Sequence, residues 1–214
     1  VAVYLAVWAA VDATARATIT SHAPAASTAP PSAVSTIAAA TPPMPTVPAA
    51  ETLPTVAQLM ALSGAEIPAS MRNFWQRENP IDMRVTDPSR YTGKGPRAPA
   101  QAVWLRANGT LPADPVVHAA LLAYASDFTL LDTALIPHGK VLFDPDLQLA
   151  SLDHAMWFHR PFAADEWVLY VQESPSGSGA RGFCRGLLFA QDGRLVASTV
   201  QEGLMRRRSA PRSA

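Results

Sequence analysis

Residues 114–128 constrain this chain more than any other stretch. Asp114 can cap a helix whose face runs Val117, Leu121, Leu122, Ala125 and Phe128. The rest of the circumference is nearly apolar, with Val116, Ala119, Ala120 and Ala123, so the helix should be largely buried. Such a helix has to be enclosed by other elements. Candidate strands fall at residues 81–85, 101–107, 147–159, 167–173, 180–190 and 194–205. The first, bracketed by Asn79-Pro80 and Asp87-Pro88, reads as an edge strand. Asn108-Gly109 and Asp192-Gly193 are turn dipeptides, and the second sets a hairpin between the last two strands. A buried helix followed by an antiparallel meander predicts an α+β fold with the sheet wrapped round the helix.

The first 50 residues are different. They contain 17 Ala, 7 Thr, 7 Pro and 4 Ser, with Asp12 and Arg16 as the only charged groups. Alanine buries little area and the prolines interrupt helices and ladders, so residues 1–50 read as a low-complexity, disordered segment. The opening apolar run at 1–11 is too short to span a bilayer and lacks a basic flank. Residues 51–80 read as a linker with a short helix, on the apolar stripe Leu53, Val56, Leu59, Met60 and Leu62. The folded domain is expected over 81–208, with a tail at 209–214.

Charge and cysteine content exclude several classes. Lys plus Arg is 17 and Asp plus Glu is 17, so the chain lacks the basic excess of a nucleic-acid platform. One cysteine, Cys184, rules out an intramolecular disulfide and a Cys-rich zinc site, and fits a reducing compartment such as the cytoplasm. Gly93-Lys94-Gly95 is too short for a phosphate cradle and reads as a turn. His154 and His159, five apart on one strand, point to opposite faces and make no metal site. Ser174-Pro175-Ser176-Gly177-Ser178-Gly179 reads as a flexible loop, without the strand-to-helix context of a nucleophile elbow. Arg206-Arg207-Arg208 reads as a solvated tail, or as an attractor of phosphates.

Several long motifs occur in order: Val103-Trp104-Leu105-Arg106-Ala107-Asn108-Gly109, Leu122-Ala123-Tyr124-Ala125-Ser126-Asp127-Phe128, and Leu152-Asp153-His154-Ala155-Met156-Trp157-Phe158-His159-Arg160. Ala180-Arg181-Gly182-Phe183 and Ala197-Ser198-Thr199-Val200-Gln201-Glu202-Gly203 follow. Together they resemble the type II acyl-CoA thioesterase family over about residues 44–206. The resemblance implies a hot-dog fold, an antiparallel sheet around one long central helix. That family carries two such repeats in one chain, and only the second is recognisable here. Residues 1–41 resemble nothing in the first repeat, which is read as a truncated or frame-shifted coding sequence, or as a disordered linker.

Thioester hydrolysis needs a water made nucleophilic and a stabiliser for the developing oxyanion. The resemblance implies that Asp127, Ser151 and Gln201 together orient and activate that water, with Ser151 standing where many relatives have Thr. From the residues alone, Asp127 ends an apolar helix, where the macrodipole disfavours a carboxylate and suits it to act as a base. The plainer alternative is a helix-terminating Asp bonded to the backbone. Gln201 is expected at the end of a strand, facing away from Val196 and Val200, and Ser151 beside Leu149 and Leu152 could equally be a satisfied core hydroxyl. Asp153 is the rival carboxylate, more simply read as orienting a neighbour.

The implied activity is hydrolysis of fatty acyl-CoA to free fatty acid and coenzyme A, with no metal or cofactor. The alternatives are a catalytically inactive fragment of such an enzyme and a hot-dog enoyl-CoA hydratase, whose paired Asp and His are not found. The expected partners are the acyl-CoA substrate and a second copy of the chain through hot-dog pairing, with no nucleic acid and no membrane.

Overall fold

Alternation of apolar and polar residues builds the sheet from its edge inward. β1 (Ile81–Val85) buries every second residue, Ile81, Met83 and Val85, and pairs antiparallel with β2 (Ala100–Ala107). The computed structural model of the chain describes residues 41–63, 79–92, 95–142 and 144–208. The expected disorder over residues 1–40, most of the linker at 64–78, Gly93, Lys94 and the tail at 209–214 lie outside the described residues. The remaining strands are β3 (Leu147–Ser151), β4 (Ala155–Phe158), β5 (Val168–Ser178), β6 (Arg181–Ala190) and β7 (Leu195–Arg207). The sheet order is β1-β2-β5-β6-β7-β3, with β4 also on β7, and every pairing is antiparallel.

Two local differences from the sequence expectation have simple causes. The single strand expected over 147–159 is two strands, because the chain steps around β7 at residues 152–154. Leu152 N–H and Asp153 N–H both donate to Glu202 O, and Asp153 Oδ1 accepts from Glu202 N–H at 2.6 Å. The flexible loop expected at 174–179 is a hairpin extension. β5 continues to Ser178, with Gly177 opposite Gly182, after an irregularity between Glu173 and Ser176 that accommodates Pro175. Gly179 and Ala180, at φ 55° and 59°, make the turn.

The short helix α1 (Val56–Ser63) starts later than its apolar stripe suggests. Thr55 and Gln58 form a reciprocal cap: Gln58 N–H donates to Thr55 Oγ1 at 3.1 Å, and Thr55 N–H donates to Gln58 Oε1 at 2.8 Å. A four-residue helix, α2 (Ser89–Thr92), follows β1. The core helix α3 (Pro115–Ser126) begins where expected, with Asp114 Oδ1 accepting from Val116 N–H at 2.9 Å. It packs Leu122 and Ala125 against Met83, Val103, Leu105, Tyr170 and Leu188 on the inner face of the sheet. It is less enclosed than its composition implies. Most of its residues remain half-buried, and Val116 is 41% exposed.

A 3-10 segment, Leu131–His138, continues from the helix with residues 131–136 buried. By length and composition, Pro115–His138 could cross a membrane, but most of it is buried inside this fold. Its close approach to the sheet depends on glycine. A Cβ at Gly182 would lie 2.6 Å from Ala134 Cβ, and one at the paired Gly203 would collide with the Leu131 side chain.

The outer face of the sheet is covered by residues 44–53, part of which the composition assigns to the low-complexity segment. Met44, Val47, Ala50 and Leu53, spaced by three, pack on Trp104, Trp167, Leu169 and Phe189. Trp104 Nε1–H donates to Pro48 O at 2.9 Å, and Arg84 Nη1 donates to Leu53 O at 2.8 Å. Four regularly spaced apolar side chains make this stretch sticky despite its prolines.

Candidate active site

The end of α3 is where three elements meet. Asp127 is the residue after the last helical turn, with φ −81° and ψ −14°. Ser151 ends β3 opposite Gly203 of β7, two residues beyond Gln201. Gln201 Nε2 donates to Asp127 Oδ1 at 2.5 Å and to Ser151 Oγ at 2.9 Å. Ser151 Oγ donates to the same Asp127 oxygen at 3.4 Å. The structure therefore brings all three sequence-predicted residues together around Asp127 Oδ1.

Their environments differ in a way that matters for chemistry. Gln201 is fully buried, whereas Ser151 is exposed and the Asp127 side chain keeps 24% of its surface. The buried amide spends both protons on its two partners, so it holds them in register. The carboxylate and the hydroxyl reach solvent. Gln201 lies in the middle of β7, not at a strand end. An irregularity between Leu188 and Phe189 shifts the register there, and Val196 joins the inner core on the same side as Gln201.

Behind Asp127 is a polar network that sequence reasoning missed. Gln101 Nε2 on β2 donates to Gln172 Oε1 on β5 at 2.7 Å, and it also bonds Thr129 O and Thr133 Oγ1, each at 2.9 Å. Gln172 Nε2 donates to Thr129 Oγ1 at 2.6 Å. Arg90 of α2 bonds Gln101 Oε1 and pairs with Asp132 at 2.5 Å. The network clamps residues 129–133, the segment that leaves the helix immediately after Asp127. Its members are far apart in sequence, so no local pattern marks them.

The remaining groups resolve simply. Asp153 anchors the step at 152–154. His159 bonds Ser198 Oγ at 2.7 Å. His154 lies in the step just before β4 and not on a strand, with Nδ1 4.0 Å from Asp127 Oδ1. Arg206 and Arg207 belong to β7, where they engage Gln148 and Asp146. Cys184 is buried opposite Gln201, and burial pushes its thiol up from the ordinary value.

A curled antiparallel sheet around one helix, with a carboxylate, a hydroxyl and an amide meeting at the helix end, defines a hot-dog domain with a polar site at its core. The chain belongs to the acyl-CoA thioesterase family, whose model matches residues 75–204. It is 39% identical over 144 residues to acyl-CoA thioesterase 2 of Haemophilus influenzae, covering 65% of this chain and 49% of that one. The crystal structure of an acyl-CoA thioesterase II, TesB2, from Mycobacterium marinum superposes with a TM-score of 0.61 at 40% identity, covering 80% of this chain and 58% of that one. A hot-dog protein of unknown function from Alicyclobacillus acidocaldarius, 18% identical, shares the fold with a TM-score of 0.55 over 78% of this chain and 55% of its own. The chain thus spans about half the length of the curated relative it matches.

Proposed function

We propose that this chain hydrolyses fatty acyl-CoA to a free fatty acid and coenzyme A by an activated water. The observation that carries this reading is the convergence of Asp127, Ser151 and Gln201 on Asp127 Oδ1. Asp127 takes a proton from water as the water oxygen adds to the thioester carbon. The carbon–sulfur bond then breaks, and the departing sulfur takes the proton back from Asp127, leaving the carboxylate ready for another turnover. Ser151 orients the water, and Gln201 orients Asp127 and Ser151. No covalent enzyme intermediate forms, and the reaction as written uses no metal or cofactor. The acyl chain would lie between α3 and the sheet. The physiological setting that suits this chemistry is fatty acid metabolism in the cytoplasm, in keeping with one buried, unpaired cysteine.

The partner in this reading is a second copy of the chain. Relatives are about twice as long as the matched region. The uncovered side of α3, with Val116 41% exposed, and the β4 edge, with Trp157 52% exposed, supply an apolar surface for a second hot-dog unit. The test is thiol release from acyl-CoAs of several chain lengths, across protein concentrations, with mass followed by light scattering. Activity that rises through the dimerisation range supports both parts. A monomer with concentration-independent activity removes the partner, and a folded dimer that releases no thiol removes the hydrolase.

A further inference from the structure

His154 is a titratable side chain beside the site that the proposed reaction does not use. Its Nε2 lies 2.9 Å from Ser126 Oγ, on a serine that is fully buried in the last turn of α3. The Ser126 hydroxyl has one proton and gives it to Ala123 O at 2.8 Å. We assign the imidazole proton to Nε2, donating to Ser126, as the tautomer that fits a serine proton given to Ala123 O. That leaves Nδ1 with a bare lone pair. This atom is buried, has no hydrogen-bond partner among the described residues, and stands 4.0 Å from Asp127 Oδ1. Two acceptors face each other across a gap too long for a hydrogen bond and short enough for an added proton to close.

We propose that His154 is a positioning residue for Asp127: neutral, it holds the helix end through Ser126; protonated at Nδ1, it draws the Asp127 carboxylate into an ion pair and withdraws it from water. The step takes one proton from solvent and converts imidazole to imidazolium, with no other bond made or broken. The inference rests on the role proposed for Asp127. Two charged groups face the ring, Asp127 from the end of α3 and Asp153 from its own segment, and both favour the charged imidazole. The adjoining β7 presents uncharged Val200 opposite Ala155. Burial opposes protonation more strongly than both carboxylates favour it, and holds His154 below the ordinary histidine value. The ring therefore stays neutral, and Asp127 available, through the neutral range.

Two measurements on the full chain test this. In the first, the His154 ring is titrated by NMR in the wild type and in Asp127→Asn. Loss of the facing carboxylate should lower its midpoint by about one pH unit, and an unchanged midpoint overturns the proposal. In the second, kcat and KM for an acyl-CoA are followed against pH. His154→Gln keeps an N–H donor but cannot ionise, so its acid limb should move to lower pH, whereas His154→Ala should lose about 10-fold in kcat with KM little changed. A uniform fall in rate with the acid limb unmoved marks a merely structural residue and overturns the proposal. A wild type inactive on every acyl-CoA sinks the hydrolase reading, and the NMR titration then decides the coupling alone.

Discussion

Gln201 Nε2 lies 2.5 Å from Asp127 Oδ1, across 74 positions of sequence. The contact ties the middle of β7 to the end of α3. It exists because Gly203, two residues along the same strand face, lets Leu131 press onto the sheet. That close approach brings the helix end down to the level of Gln201.

The carboxylate should dominate turnover. Asp127→Ala is expected to cost on the order of 100-fold or more in kcat. The side chain is partly solvent-exposed, so the urea midpoint should move little. Steady-state thiol release beside denaturant unfolding checks both halves, and near-wild-type turnover would sink the assignment.

Ser151 and Gln201 should separate by burial. Ser151→Ala, at an exposed position, is expected to lower kcat about 10-fold or more without loss of stability. Ser151→Thr, which keeps the hydroxyl, should retain most activity. Gln201→Ala removes a fully buried amide and should lower both kcat and stability, the latter by about 1–3 kcal/mol. Equal stability losses for the Ser151 and Gln201 alanine variants would contradict the geometry.

Gly182 should tolerate no side chain. Its added Cβ would meet Ala134 Cβ, an atom that cannot rotate away, at 2.6 Å. Gly182→Ala is therefore expected to destabilise by about 1–3 kcal/mol, and to reduce activity by lifting the 3-10 segment from the sheet. Wild-type unfolding midpoints in this variant would show that the segment can shift freely.

Stability should fall at both ends of the pH scale. A side-chain hydrogen bond from Lys140 lowers the Asp146 carboxyl, a backbone hydrogen bond from Leu111 lowers Asp165, and a side-chain bond from Arg194 lowers Asp192. Each contributes stability above the ordinary carboxylate range of about 4 that is lost as pH falls through the depressed native value. Burial pushes Tyr170 and Cys184 up. Their contribution is complete below the unfolded values of about 10 and 8.5 and is lost as pH rises. Urea unfolding from pH 3 to pH 11 checks this. Tyr170→Phe should flatten part of the alkaline limb at a cost of about 1 kcal/mol for the broken 2.7 Å bond to Thr199.

Local signals carried most of the fold. Asp114 capped α3 where expected, Asp192-Gly193 turned the β6–β7 hairpin, and Ile81–Val85 took the sheet edge. Misplaced boundaries had nonlocal causes. The step at 152–154 depends on Glu202, fifty residues away in the chain, and β5 runs through Pro175 only because β6 is there to pair with it. The apolar character of α3 was legible, but how much of it the sheet would leave uncovered was not.

Asp127 and Gln201 lie within the motifs that carry the family resemblance and Ser151 stands immediately before one, and it was the resemblance that grouped the three. What only the tertiary structure decided was their burial and their neighbours. Nothing local distinguishes a buried glutamine in mid-strand from an exposed one, nor joins Gln101 to Gln172, nor sets His154 beside Asp127. The reason is physical: helix periodicity, caps and turn dipeptides act over a few residues and are written in the chain. Burial and hydrogen-bond partnership depend on which distant surfaces close over a group, and here that is set by a glycine pair thin enough to let the helix segment and sheet touch.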